Sequence, residues 1–556
     1  MRRIINISSS AILTILIAIT VLSAERTDKY YDEVRVNMQL FKEVYKEVAT
    51  RYVDDIDPKE FMRAGIRGML GTLDPYSVFI DEADADDLQI MTTGKYGGVG
   101  IVIGLKGESK VLTVISPMEG TPAARLGIRA GDEIIEIDGV STEGFDTNRA
   151  ASMMRGEAGT TVKIKIRRMG IADVMEYEIV REEIIVSDVS HFQMIDDETG
   201  YIRLARFSRK AGGELDSALK SLKAQGMKSL ILDLRGNPGG LLEAAVEVTE
   251  RFIPAGKTIV STRGMIPEAN RVINSRGSDL CSDCALAVLT DGGSASASEI
   301  VAGAVQDHDR GLIIGENTFG KGLVQSLVNL PYGVELKLTT AKYYTPSGRL
   351  IQKADYFGKD NPVIMEKADK SEQESGGDRY FTANGREVLG GGGISPDIKV
   401  ETEETTLIIA AMYQQSKFFN FANEYCSKGT AAEALADSEL MNKYEAYLKE
   451  VNFDYEADGQ KELDYLKTIG AKQGLSEDYA ELILKIEGMI NSVKQSDLAK
   501  NRGAIERYLR MEFASRGSGT KGRFEESLPQ DAQLLKAMEA LKSKDRYGKI
   551  LAGKEL

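Results

Sequence analysis

The chain has 556 residues, 42% hydrophobic and 28% charged, so it is not a disordered polymer and predicts three or four domains of about 150 residues each. Its 85 acidic residues exceed its 70 Lys and Arg residues, and a net charge of −15 argues against a nucleic-acid partner, which requires a basic face. Two histidines and three cysteines are too few for a multi-histidine metal centre, a four-cysteine zinc site or a disulfide-stapled fold, so no metal is expected.

The first residues have the three-part pattern of an export signal. Arg2 and Arg3 precede an apolar run over residues 11–22, and small residues follow it. The run is short for a membrane span, which needs about 20 residues. A large residue, Leu22, stands three positions before a cut after Ala24, so a cleaved signal and a retained membrane anchor both stay open. We therefore expect an extracytoplasmic protein, either periplasmic or anchored to the outer face of the inner membrane; a buried N-terminal helix is the alternative.

Changes of pattern along the chain predict five segments. After the leader come a helical segment, short strands with glycine turns, alternating strands and helices, and finally Leu- and Ala-rich helices. A polar stretch at 369–378 is predicted to be a solvated loop. The predicted boundaries are 1–24 for the signal peptide or membrane anchor, 25–93 for the N-terminal helical segment, 94–182 for the strand-rich module, 183–400 for the α/β core and 401–556 for the helical C-terminal extension.

The strand-rich module has the features of a site for chain termini. A loop of Gly98, Val99, Gly100 and Ile101 can direct several N–H groups at a carboxylate, and the strand after it can pair with an incoming tail. A helix capped by Asp146 and a half-buried strand at 162–167 follow. The whole series resembles a bacterial PDZ domain. That resemblance implies a groove for apolar tails, lined by Val102, Ile103 and the face of the second helix that carries Met153 and Met154. A small β-domain used only as a spacer is the alternative.

A turn of small residues between a strand and a helix holds the candidate nucleophile. Residues 285–289 are apolar, residues 290–296 read T-D-G-G-S-A-S, and a helical pattern follows. A hydroxyl at this turn lies at the positive end of the helix, beside backbone N–H groups, which suits a serine nucleophile next to an oxyanion site. Ser296 and Glu299 also match a capping box, which needs no chemistry, and this segment alone favours the cap.

Neither histidine fits the role of general base. His191 belongs to a distant segment, and His308 follows Ser296 by 12 residues, about 18 Å along a continuous helix. A base must come within about 3 Å of the proton that it takes. Asp307 fails by the same arithmetic and is interpreted as a structural residue at the end of the helix.

A lysine downstream fits better. A five-residue strand at 311–315 recovers about 17 Å, so residues 316–321 should lie near the start of the helix. Lys321 stands there between two glycines, and burial lowers the pKa of a lysine, leaving a neutral amine that can take a proton from a serine. Gln325, four residues on, could orient that amine. An exposed surface charge is the alternative for an isolated lysine.

A second glycine turn follows another apolar strand. Residues 230–234 lead into R-G-N-P-G-G-L at 235–241, after which a helix is predicted. Gly239 or Gly240 could complete an oxyanion site with the N–H of Ala297, but an ordinary strand-to-helix turn explains the glycines equally well. The spacing matches neither glycine-rich nucleotide-binding pattern.

Taken together, these motifs resemble the carboxyl-terminal processing (tail-specific) proteases, a Ser/Lys peptidase family with a PDZ domain. The resemblance extends over two-thirds of the chain and includes the motifs L-D-P-Y-S at 73–77, L-T-T-A-K-Y-Y-T-P-S-G-R at 338–349 and G-I-S-P-D at 393–397. It implies an α/β multidomain fold: a crotonase/Clp-protease-like peptidase core, an inserted PDZ domain, an N-terminal helical segment and a C-terminal helical extension. It also implies Ser296 as nucleophile, Lys321 as general base, Gln325 as orienting residue, and Ala297 with Gly239 or Gly240 as oxyanion donors.

The expected function is therefore an exported serine endopeptidase that acts on polypeptides with apolar C-termini and needs no cofactor. A silent PDZ-bearing scaffold or chaperone is the main alternative, and an amidase with the same dyad is a third.

Two features depart from the family pattern. Cys281 and Cys284 precede the nucleophile strand; a disulfide or redox-sensitive pair is one interpretation, but incidental thiols are favoured, with Cys426 unpaired. The extension after residue 400 suits either a homo-oligomer or adaptor contact, or plain packing.

Overall fold

The computed structural model describes residues 9–80, 85–107, 109–277, 280–353, 377–402, 405–474 and 476–554. The predicted leader lies outside the described residues up to position 8, and the predicted solvated loop lies outside them from 369 to 376. Within the described part of the chain, no helix combines the length and apolar character needed to cross a membrane.

The described residues up to Phe79 form a first unit, and those from Ile80 onward form a second. In the first unit, Asp57 starts the second helix, because its Oδ1 accepts the N–H groups of Lys59 and Glu60. Tyr45 of the first helix stacks on Phe61 of the second, with ring centroids 5.6 Å apart. The elements here are α1 (Ser9–Arg51), α2 (Pro58–Leu70) and most of β1 (Val78–Ile80).

The second unit begins with the strand-rich module. An antiparallel sheet runs in the order β3-β4-β5-β7-β8, with β6 added beside β5, and β2 pairs separately with β9. Buried Val114, Ile134 and Ile164 lie at its centre. The elements are α3 (Ala85–Thr93), β2 (Lys95–Gly98), β3 (Ile101–Lys106), β4 (Val111–Pro117), α4 (Pro122–Arg125), β5 (Glu133–Ile137), β6 (Val140–Ser141), α5 (Thr147–Met154), β7 (Thr161–Arg167), β8 (Met175–Val180) and β9 (Glu182–Ile185).

The α/β core is built on a sheet with the order β10-β11-β12-β15-β16-β21. β10 pairs antiparallel with β11, and the other pairs are parallel. Among the described residues, three helices pack on one face of this sheet. The elements are β10 (Val189–Met194), β11 (Thr199–Leu204), α6 (Ala211–Ala224), β12 (Ser229–Asp233), α7 (Leu242–Glu250), β13 (Thr258–Gly264), β14 (Arg271–Asn274), β15 (Ala285–Thr290), α8 (Ala297–Asp307), β16 (Leu312–Gly315), β17 (Leu323–Asn329), β18 (Glu335–Tyr344), β19 (Arg379–Phe381), β20 (Glu387–Leu389) and β21 (Ile398–Lys399).

A second sheet of the core carries the strands that follow the candidate site. β18 pairs antiparallel with β17 and with β13, and β13 pairs with β14. The short strands β19 and β20 form a separate pair.

The C-terminal helices divide into two groups. α9 to α15 surround a core of their own that includes Tyr444 and Phe513. α16 and α17 instead return to the core sheet, where Leu534 and Leu541 pack against its second face. The elements are α9 (Leu407–Gln414), α10 (Lys417–Lys428), α11 (Ala431–Ala436), α12 (Leu440–Glu450), α13 (Gln460–Gln473), α14 (Glu477–Lys500), α15 (Arg502–Ser527), α16 (Ala532–Lys542) and α17 (Lys544–Leu551).

The favoured interpretation of the paired cysteines is wrong. A disulfide joins Cys281 to Cys284 just before β15, with their Cα atoms 5.3 Å apart. Arg310 donates to the carbonyl oxygen of Cys284 at 2.9 Å and also to that of Cys281, so the bridged turn is tied to the residues that follow α8. Cys426 is free, as expected.

Candidate active site

Ser296 stands where the chain leaves β15 and enters α8. Its φ is +54°, a conformation that is uncommon for a residue with a side chain. Such strain persists only where the surrounding structure enforces it, and it is concentrated at functional sites. The side chain is half-buried, while the flanking Ala295 and Ala297 are buried. The turn therefore holds a hydroxyl-bearing residue at the N-terminus of a buried helix.

The returning strand brings the lysine loop to this turn, as the distance arithmetic predicts. β16 runs parallel to β15, and the N–H of Glu316 donates to the carbonyl oxygen of Thr290 at 2.9 Å. The N–H of Phe319 donates to the carbonyl oxygen of Ser294 at 3.0 Å. Lys321, two residues later, is half-buried.

Glu299 joins the serine turn to the lysine loop. One oxygen of its fully buried carboxylate accepts the N–H of Ser296 at 2.7 Å and that of Lys321 at 2.9 Å. The other accepts the Thr318 hydroxyl at 2.6 Å and the N–H of Gly320 at 2.7 Å. Burial raises the pKa of this carboxyl to about 7, although its four donors oppose the rise. The sequence identified Glu299 only as a capping residue, and the structure shows that its carboxylate also fixes the lysine loop.

Tyr343 makes a second connection between Ser296 and Lys321. Its hydroxyl lies 3.1 Å from the carbonyl oxygen of Ser296 and 2.5 Å from that of Lys321. The side chain is buried, which raises its pKa well above the ordinary value, so it acts as a neutral phenol. Its position within the motif at 338–349 is the sequence signal that could have marked it.

The second glycine turn lies against the serine. A Cβ on Gly239, whose φ is +100°, would come within 2.9 Å of the Ser296 Cβ and 3.0 Å of the Ala297 nitrogen. Asn237 connects the two turns, because its carbonyl oxygen accepts the N–H of Ala295 at 3.0 Å and the Ser298 hydroxyl at 2.9 Å. The N–H of Gly239 itself donates to Oδ1 of Asn237 at 2.9 Å.

Gln325 lies on β17, four residues beyond the lysine. Its side-chain nitrogen donates to the Thr339 hydroxyl of the neighbouring strand at 3.2 Å. The chain has a register irregularity between Val324 and Gln325.

The predicted tail-binding residues meet at one edge of the strand-rich module. β3 is the last strand in the order of its sheet and contacts α5. Ile101 and Ile103 of β3 and Met153 of α5 all pack partly against the same apolar core, whereas Val102 is 46% exposed. In the loop before β3, Val99 is buried and Gly98 ends β2, and Gly100 has φ of +77°. The carbonyl oxygens of Val99 and Gly100 accept N–H groups from Ala123 and Met118.

Of the three residues rejected as bases, His191 lies on β10, and the other two lie at the far end of α8. His308 ends that helix and makes a hydrogen bond of 2.7 Å to the carbonyl oxygen of Thr258. Asp307 forms a buried ion pair of 2.7 Å with Arg349. Over the described residues, no group of three or more His, Cys, Asp or Glu side chains has a metal-binding arrangement.

Comparison with known families identifies four parts of the chain. Residues 198–360 match Peptidase family S41, and residues 113–168 match the PDZ domain family. Residues 408–541 match the family described as "Probable PDZ-protease, C-terminal helical domain". Residues 17–84 match the "Activating protease CtpB N-terminal domain".

Similar whole proteins are carboxy-terminal processing proteases. The one from Bartonella bacilliformis is 42% identical over 316 residues, which cover 56% of this chain and 72% of the relative. The one from Synechocystis sp. is 38% identical, covering 53% and 69%. A solved photosystem II D1 C-terminal processing protease is 28% identical, covers 64% and 85%, and has a TM-score of 0.36. This chain therefore belongs to the carboxy-terminal processing proteases of peptidase family S41, with a PDZ domain and a C-terminal helical domain.

Proposed function

We propose that this peptidase cleaves proteins with Ser296 as nucleophile and Lys321 as general base. The observation that carries the proposal is the Glu299 carboxylate, which accepts the backbone N–H groups of both residues. Two residues separated by 25 positions in the sequence are thus held by one buried group. The strained backbone of Ser296 at the N-terminus of α8 supports the same assignment.

The chemistry follows from these positions. The neutral amine of Lys321 takes the hydroxyl proton as Ser296 Oγ attacks the peptide carbonyl carbon, and the carbonyl oxygen becomes negative. The N–H of Ala297 and an N–H of the second glycine turn stabilise that charge. We favour Gly240 over Gly239 as donor, because the Gly239 N–H already donates to Asn237. The lysine passes its proton to the leaving amine, and water then hydrolyses the acyl-enzyme. Gln325 is the proposed orienting residue for the amine.

The PDZ domain is proposed to recognise the tail of the substrate. An apolar C-terminus would pair with the edge of β3, place its side chains against Ile101, Ile103 and Met153, and present its carboxylate to the loop from Gly98 to Ile101. The substrates are then polypeptides with apolar ends. We further propose that the chain is exported, with residues 1–24 as a signal peptide or membrane anchor. We also propose that the PDZ domain begins at residue 94, the peptidase core at residue 183 and the helical extension at residue 401.

Purified Ser296→Ala, Lys321→Ala and wild-type chains test the mechanism with a fluorescence-quenched peptide that has an apolar C-terminal tail. Each variant should lose at least about a thousand-fold in kcat, because each removes a group that takes part in bond making. The wild-type rate should rise with pH, since only the neutral amine accepts a proton. Equal cleavage by all three proteins would overturn the mechanism. Tail binding without cleavage by the wild type would identify a tail-binding scaffold instead.

A further inference from the structure

The side chain of Arg235 links the second glycine turn to the C-terminal helices. On one side it binds Asp233, the last residue of β12, with Nε 2.9 Å from Oδ1 and Nη2 2.7 Å from Oδ2. On the other side it binds Asp531, the N-cap of α16, with Nη1 3.0 Å from Oδ1 and Nη2 2.7 Å from Oδ2. A guanidinium held by two carboxylates has a fixed plane and position.

This pairing is shielded from water. The side chain of Arg235 is 13% exposed, that of Asp531 is 19% exposed, and that of Asp233 is fully buried. Solvent therefore screens the attraction between these charges only weakly. It screens the more exposed pair of Lys536 and Glu539 on α16 more strongly. Gln533 adds another acceptor for the guanidinium at 3.1 Å, and its side-chain nitrogen donates to the carbonyl oxygen of Val400.

The fixed arginine begins the turn that touches the candidate nucleophile. The next residue, Gly236, donates its N–H to Asp291 of the serine turn at 2.8 Å. Asn237 accepts the N–H of Ala295, and Gly239 lies against Ser296. A shift of Arg235 would therefore change the distance between the glycine N–H groups and the carbonyl that Ser296 attacks.

We propose that Asp531 is a positioning residue for catalysis, which acts through Arg235 to fix the glycine turn relative to Ser296. The inference rests on the mechanism proposed above and extends it to the C-terminal helical domain, because Asp531 lies outside the residues that match Peptidase family S41. The extension then contributes to the active site as well as to packing.

The test separates this role from the role of Asp531 as a helix cap. Oδ1 of Asp531 also accepts the N–H groups of Gln533 and Leu534, both at 3.0 Å. Asp531→Asn keeps a capping oxygen and removes the charge, and Asp531→Ser keeps a shorter cap that cannot reach the guanidinium. Glu539→Gln is the matched control. It removes the charge of an exposed glutamate on α16 that pairs with Lys536 and Arg546.

With the quenched peptide above, both Asp531 variants should lower kcat by about ten- to a hundred-fold with KM nearly unchanged, because misplacement affects the transition state more than substrate binding. Their melting temperatures should stay within a few degrees of the control, and a peptide aldehyde, which forms a tetrahedral adduct, should bind more weakly in parallel with kcat. If either folded variant keeps the kcat of the control, or only its melting temperature falls, the inference is wrong.

The Ser296→Ala variant separates this inference from the proposed mechanism. If Ser296→Ala stays active, the proposed mechanism itself fails. If Ser296→Ala is inactive and the Asp531 variants keep the kcat of the control, only the positioning role of Asp531 is overturned.

Discussion

At the scale of single residues, Glu299 shows how one carboxylate can fix the relative position of two segments of the candidate site. Its two oxygens accept four donors from two segments, so replacing either oxygen by a nitrogen leaves at least one buried N–H without an acceptor. Leaving such a group unsatisfied costs about 1 to 3 kcal/mol. The spacing of Ser296 and Glu299 predicts a cap, but the other donors come 19 to 22 residues later in the sequence, where no local pattern points back to the glutamate.

Glu299→Gln should therefore lower kcat at least about ten-fold, since the serine turn and the lysine loop lose part of their common acceptor. Glu243→Gln, an exposed glutamate on α7, is the control and should behave like the wild type.

The free energy of unfolding of the same Glu299→Gln variant gives a second readout. Because the pKa of Glu299 is about 7 in the folded chain against an ordinary 4.5, its contribution to stability is complete below pH 4.5 and is lost as the pH rises through 7. The difference in unfolding free energy between wild type and variant should change by on the order of 3 kcal/mol between pH 4.5 and pH 7. A difference that stays constant over this pH range would contradict a raised pKa for Glu299.

At the scale of elements, the arrangement of strands and turns explains why the candidate residues converge. The alternating pattern of strands and helices correctly predicts that α8 carries the chain away from the end of β15 and that β16 brings it back. This follows because the length of a helix or a strand is fixed by its geometry. The local pattern alone leaves open whether the turn after β12 lies against Ser296, and only the family resemblance implies that Gly239 or Gly240 reaches the oxyanion site. That contact depends on β12 and β15 being neighbours in the sheet, and crossover connections leave the strand order open.

Gly239→Ala tests the contact between these two turns. An added Cβ would lie 2.8 Å from the carbonyl oxygen of Ala295 and 2.9 Å from the Ser296 Cβ, so the turn must move away from the serine. We expect kcat to fall at least about ten-fold in cleavage assays, as displacement near a reacting group is costly. Gly226→Ala is a matched control with φ of +99°, where the new Cβ would meet only the Asp197 carbonyl oxygen at 3.8 Å. It should lose stability of about 1 kcal/mol from backbone strain and keep its kcat. Equal kcat values for the two variants would refute the contact.

At the scale of the whole molecule, the last helices complete the peptidase core. Leu534, Ala537 and Leu541 bury their side chains against residues of four parallel strands. The helical patterning of the extension predicts an apolar stripe, but an amphipathic helix does not specify its own partner, so dimer contact and internal packing could not be distinguished from sequence. Asp531 and Arg235 are separated by nearly 300 positions, which places their pairing beyond any local pattern.

Leu534→Ala and Leu535→Ala measure how much this packing contributes. Leu534 is 1% exposed and Leu535 is 49% exposed on the same turn of α16. The first change should reduce the free energy of unfolding by about 2 to 5 kcal/mol through loss of buried contacts and a residual cavity. The second should alter it by less than about 0.5 kcal/mol. Chemical denaturation followed by circular dichroism gives both values, and similar values for the two variants would show that α16 is not seated on the sheet in solution.

The seating of α16 and α17 has a consequence for the newborn chain. A ribosome synthesises α16 and α17 after every strand of the central sheet, so those strands emerge while one face of the sheet is still bare and Arg235 still lacks its second carboxylate. A nascent chain that has not yet reached residue 531 therefore carries a core with one uncovered face, and synthesis of α16 and α17 is the step that covers it.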